Sequence, residues 1–156
     1  MSDDPARRAY AAVLLLLLAA FLCRVLAQLI QAVRPVGWLP PFEAWHSATL
    51  PYGALVLSQV VIAAVCFWTI VGVLTGRTVA RRGLGGVLLA LGLLYAGVMA
   101  FRLIAGWTIL REASWFQQPL ATTFHLVLAA FVLTLARFHL RHGQGGSPSR
   151  GSRLSP

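Results

Sequence analysis

No aspartate, glutamate, lysine or arginine interrupts residues 9–23, 50–76, 83–101 or 113–136. A helix crossing a hydrocarbon core ~30 Å thick needs about 20 residues, so each stretch with its flanks is long enough to cross once. Lipid offers the backbone no hydrogen-bond partner, which leaves the helix as the conformation of each crossing. The sequence therefore predicts an all-α fold: an integral membrane four-helix bundle over residues 9–138, with helices at 9–33, 52–75, 84–110 and 120–138. Residues 1–8 precede the bundle, and residues 34–51 form its longest connection. The segment 139–156 is rich in Gly, Ser and Pro, has no apolar pattern, and is expected to be a disordered tail.

The first apolar stretch raises the question of a cleavable signal. Arg7 and Arg8 before Ala11–Leu22 resemble the basic and apolar parts of one, and Val25-Leu26-Ala27 resembles a cleavage site. Apolar character resumes at Leu29, Ile30 and Val33, however, and Leu22 before Cys23 is too large for lipoprotein processing. An uncleaved first span is the expectation.

Charge is scarce, and its basic part is all of one kind. Charged residues make up 11% of the chain, against about 25% in an ordinary soluble domain. All 13 basic residues are arginine, which hints at a GC-rich bacterial genome. Most of the arginines behind the net charge of +9 sit at the ends of apolar segments, a pattern of membrane orientation and anionic-lipid contact. No basic face interleaved with aromatics exists to track phosphates, so nucleic acid is not expected as a partner.

Arg7, Arg8, Arg77, Arg81, Arg82, Arg137, Arg141, Arg150 and Arg153 fall on one side of the predicted bundle, and only Arg34 and Arg111 on the other. By the positive-inside rule both termini are expected in the cytoplasm, which suggests a multi-pass protein of a bacterial inner membrane. The two halves share no motif, so an inverted-repeat transporter is not indicated. Cys23 and Cys66 lie singly in apolar sequence and read as packing residues; no metal-ligand spacing accompanies them.

The connection 34–51 carries Pro35, Pro40, Pro41 and Pro51, with Trp38, Trp45, Glu43 and His46. Pro41 suits the start of a short helix, and the tryptophans suit an interfacial aromatic belt. A lid over the bundle and a plain proline-rich connection are both open readings.

Polar residues inside the spans give the sharpest signal. Arg24, Gln28 and Gln31 interrupt the first stretch, Gln59 the second, Arg102 the third and His125 the fourth. Because the spans alternate in direction, these positions all fall in the outer half. An ionisable group in lipid is costly and marks a functional or assembly site by default. At 100° per residue, Arg24, Gln28 and Gln31 share one stripe; Arg102 aligns with Tyr95, Met99 and Gly106; and His125 aligns with Ala121, Thr122, Ala129 and Ala136. Such stripes are expected to face inward, where small and hydrogen-bonding residues favour helix–helix contact.

Each residue also has a structural reading. Arg24 and Arg102 could snorkel to the interface or pair with Glu43 or Glu112, while the glutamines could join helices by hydrogen bonds. The site reading combines Arg24, Gln28, Gln59, Arg102 and His125 with Glu43 and His46 in a polar pocket beneath the 34–51 connection.

Two guanidinium groups suit an anionic ligand, because arginine holds phosphate through a planar fork. The first functional expectation is a pocket for an anionic lipid or amphiphile. The second is an accessory or scaffold subunit joined to a membrane-protein partner or to further copies of itself. Haem held between His46 and His125 ranks third, since only His125 lies clearly within a span. Glu43 and His46 have the spacing of an acid–base pair, but no nucleophile motif or carboxylate dyad joins them. Neither catalysis nor a particular cofactor is assigned.

Overall fold

The computed structural model describes residues 5–42, 51–108 and 119–143, and it is an all-helical protein. Its helices are α1 (Pro5–Val33), α2 (Tyr52–Leu74), α3 (Arg82–Thr108) and α4 (Pro119–His142). All four are long and apolar enough to cross a membrane. Even the shortest, α2 with 23 residues, is roughly 35 Å long at 1.5 Å per residue.

Proline and glycine set the helix boundaries. Pro5 and Pro119 open α1 and α4 at positions where a missing N–H costs nothing. α1 stops ahead of Pro35, which disfavours helical geometry in the residue before it. α2 ends at a Thr75 C-cap followed by Gly76 in the left-handed region at φ 72°, a conformation glycine adopts without strain.

The helices pack as an open series rather than a closed square. α3 lies along α4, α4 along α1, and α1 along α2. The α3–α4 seam is the closest because glycines form it. A Cβ on Gly85 would meet the Leu140 backbone nitrogen at 2.9 Å, and one on Gly92 would meet the Leu133 side chain at 2.8 Å.

The first turns of α1 and the last turns of α4 meet the 75–81 connection at one end of the bundle, here termed the terminal end. The Arg7 guanidinium donates to the Thr78 carbonyl at 3.4 Å, and the Arg81 amide donates to Nδ1 of His139 at 3.1 Å. The Tyr10 ring packs edge-on against Phe138 and His142. These contacts fix how α1 and α4 frame the α2–α3 crossover.

The core has two zones. Leu14, Leu18 and Phe21 of α1 pack with Cys66, Ile70 and Val73 of α2 and with Phe131 and Phe138 of α4. Farther from the terminal end, the same stripe of α1 turns polar and buries Arg24, Gln28 and Gln31. Cys66 is buried, whereas Cys23 is exposed on the outer surface of α1 and is not part of the packing.

Several boundaries differ from the sequence expectation. α1 begins at Pro5, so Arg7 and Arg8 are helical rather than part of a preceding segment. α4 continues through His142, and residues 139–142, expected to open the tail, are instead its last turn. The cause is physical: His139 is buried against the 75–81 connection, and His139, Arg141 and His142 suit the negative end of a helix. The rest of the expected tail, from residue 144 on, lies outside the described residues.

Candidate functional site: a polar cleft between α1, α2 and α4

The second half of α1 carries its charge inward because the heptad stripe that begins with Leu14 and Leu18 runs on to Arg24, Gln28 and Gln31. Arg24 is 8% exposed and Gln28 is 1% exposed. From α2, Gln59 projects onto the same layer, one heptad before the buried Cys66. Its amide Nε2 donates to the Gln28 Oε1 at 3.0 Å, tying α1 to α2 inside the apolar bundle. This is the interhelical hydrogen bond that glutamines in such spans tend to make. The Gln28 Nε2 is fully buried and makes no hydrogen bond among the described residues. Buried amide nitrogens nearly always have a partner, which makes this donor a distinctive feature of the layer.

Beside this pair lies a cleft of about 90 Å³ lined by residues of α1, α2 and α4, among them Arg24, Ser58, Gln59, Phe124 and His125. The Arg24 guanidinium sits 5.6 Å from the centroid of the Phe124 ring, in cation–π range. The contact orients the cation along the wall of the cleft. Across it, the His125 ring shares a 2.6 Å hydrogen bond between its Nδ1 and the Tyr95 hydroxyl of α3, with the donor set by the tautomer. The two rings also meet edge-on at 6.0 Å. Arg102 is buried on α3, and His125 lies within electrostatic reach of both Arg102 and Arg24.

The sequence-derived residues are therefore distributed unevenly. Arg24, Gln59 and His125 line the cleft, and Gln28 is bonded to Gln59. Arg102 does not line it. Gln31, expected to join helices, instead accepts the Val36 amide at 2.9 Å and caps the turn after α1. Glu43 and His46, together with the short helix expected from Pro41, lie outside the described residues.

Sequence reasoning misses three participants. Tyr95 sits one heptad before Arg102 on the stripe already noted, so its position is legible although its bond to His125 is not. Ser58 neighbours Gln59 but bonds back to the Leu55 carbonyl at 2.7 Å, a local habit of helical serines. Phe124 carries no polar signal, and only the placement of Arg24 gives it a role.

Among the described residues no group of three or more His, Cys, Asp or Glu is placed to hold a metal ion. Chemically, the cleft offers a cation, amide groups, an imidazole and an aromatic wall. That set can bind and orient an anionic or strongly hydrogen-bonding group.

The chain matches no family model, no curated protein and no solved structure. A functional reading stands on the geometry of the cleft alone.

Proposed function

We propose that this protein is a multi-pass membrane protein whose cleft binds the anionic head of a membrane lipid or related amphiphile. The observation that carries the reading is the shared wall of Arg24, Gln59 and His125, contributed by three helices at one depth of the bundle. At 1.5 Å per residue these positions lie roughly 9–14 Å from the nearer ends of their helices, below the surface but within reach of a headgroup.

Size narrows the ligand. Sites that enclose a whole drug-sized molecule run to about 300–1,000 Å³, and this cleft has about 90 Å³. It takes a head and leaves the tail outside, among the helices or in surrounding lipid. A guanidinium held against an aromatic ring supplies the charge, and the Gln28 and Gln59 amides supply directional bonds.

The proposed setting is a bacterial inner membrane with the terminal end on the cytoplasmic side. Arg7, Arg8, Arg77, Arg81, Arg82, Arg137 and Arg141 gather at that end, while Arg34 is at the other, which supports this orientation.

The test is an NMR titration at the ring nitrogens of His125 in detergent-solubilised, ¹⁵N-histidine-labelled protein. Dihexanoylphosphatidylglycerol is expected to shift the His125 signals saturably, and Arg24→Gln is expected to abolish the effect. An equal shift with dihexanoylphosphatidylcholine, or an unchanged titration in Arg24→Gln, would overturn the reading.

A further inference from the structure

A second groove opens at the terminal end, far from the cleft, between the first turns of α1 and the last turns of α4. It has a volume of about 400 Å³ and is lined by Ala6, Ala9, Tyr10 and Val13 of α1 and by Thr134, Arg137 and Arg141 of α4. Two alanines one turn apart on α1 leave space that larger side chains would fill. The Thr134 hydroxyl is already committed to the Ala130 carbonyl at 2.7 Å, so the deep part of the groove makes no polar demand.

Its mouth is different. Arg137 and Arg141 are both exposed and lie at i and i+4, where side chains of one helix face are neighbours. Among the described residues neither guanidinium has an ion pair or hydrogen bond, in contrast to Arg7, which is bound to the Thr78 carbonyl. Two like charges one turn apart repel weakly, and an anion held between them relieves that repulsion. Tyr10 adds a phenol beside them, with its ring packed on Phe138 and His142.

We infer that this groove is a binding site for an anionic phospholipid. The phosphate bridges Arg137 and Arg141, and one acyl chain lies along Ala6, Ala9 and Val13 toward Thr134. Charge and shape agree: the cations stand at the helix ends, where headgroups would lie, and the apolar trough runs inward from them. Basic pockets between spans on the cytoplasmic side are suited to such headgroups. The inference rests on the membrane reading given above but not on the cleft.

The test uses the full chain in mild detergent, mixed with chain-matched phosphatidylglycerol and phosphatidylcholine and examined by native mass spectrometry. The wild type is expected to retain phosphatidylglycerol preferentially. The double variant Arg137→Gln/Arg141→Gln is expected to lower that retention by roughly 25-fold, as two surface arginines warrant. Arg77→Gln/Arg82→Gln removes the same charge from the same end and is expected to leave retention nearly unchanged. Ala9→Trp, at an exposed position, is expected to weaken retention by filling the trough.

Equal losses in the two double variants would reduce the effect to bulk charge and overturn the site. Displacement of the lipid by glycerophosphoglycerol at matched concentration would mean that the arginines bind soluble phosphate, and would also overturn it. Should the double variant not fold, Arg141→Gln alone carries the same comparison. Absence of the wild-type chain from the membrane fraction would count against the membrane reading instead, so the two failures are distinguishable.

Discussion

The Tyr95 hydroxyl on α3 and Nδ1 of His125 on α4 lie 2.6 Å apart, and this bond joins residues that line two different surfaces of the bundle. His125 lines the polar cleft facing α1 and α2. Tyr95 lines an apolar groove of about 540 Å³ formed by α3 residues, Gly92 among them, and by Val132 of α4. A polar ring pair thus spans the α3–α4 seam, where the glycines bring the helices closest. The imidazole is thus held by a partner that does not itself line the cleft.

Tyr95→Phe tests that arrangement, because it keeps the aromatic contact and removes only the hydroxyl. The expected outcome is a change in the ¹⁵N shift of His125 Nδ1 and a stability loss of about 0.5–1.5 kcal/mol, read by denaturant titration in detergent. An unchanged imidazole spectrum would show that the bond does not hold the ring.

The Gln28–Gln59 pair makes a sharper energetic prediction. Gln28→Leu leaves the Gln59 amide buried without its acceptor, and Gln59→Leu leaves the Gln28 carbonyl without its donor. The double variant leaves neither. A double-mutant cycle is therefore expected to give a favourable coupling of about 0.6 kcal/mol, rising to about 1.7 at most for hydrogen bonds between membrane helices. Additive single effects would contradict the bond.

The number of helices and the depth of their polar layer are legible in the sequence because they depend on period and length alone. Charge-free runs announce spans, and alternating direction assigns Arg24, Gln59 and His125 to one layer without any knowledge of packing. The neighbours of each helix are not legible. Gly85 and Gly86 are adjacent in sequence, but only Gly85 meets another helix. Arg102 has the same sequence signature as Arg24, yet only Arg24 lines the cleft, because α3 touches α4 rather than the α1–α2 pair. The end of α4 is hidden for a related reason: His139 and His142 look like solvated residues until the packing of the 75–81 connection and of Tyr10 against them is seen.

The two adjacent glycines give opposite expectations. A methyl at Gly85 would stand 2.9 Å from the Leu140 backbone nitrogen and 3.0 Å from the His139 Cβ, atoms that cannot turn aside. Gly85→Ala is expected to cost about 1–3 kcal/mol, as overpacking does in a tight core. At Gly86 an added methyl would have nothing within 4 Å, so Gly86→Ala should be neutral or slightly stabilising through helix propensity. Thermal unfolding of both variants in the same detergent decides it; equal midpoints would mean that α3 and α4 do not meet at Gly85.

His139 should fix the 75–81 connection through a single acceptor. Its ring is 2% exposed, and its Nδ1 takes the Arg81 amide proton at 3.1 Å. The bond requires an unprotonated Nδ1, so the proton of the neutral ring is on Nε2. His139→Leu keeps bulk but leaves the Arg81 amide without an acceptor, a loss of about 1–3 kcal/mol. His139→Asn offers a side-chain oxygen near the position of Nδ1 and is expected to recover part of the loss. The distinguishing readout is hydrogen exchange at the Arg81 amide: fast in the leucine variant, slower in the asparagine variant, slowest in the wild type. Equal exchange in all three would show that His139 does not hold the connection.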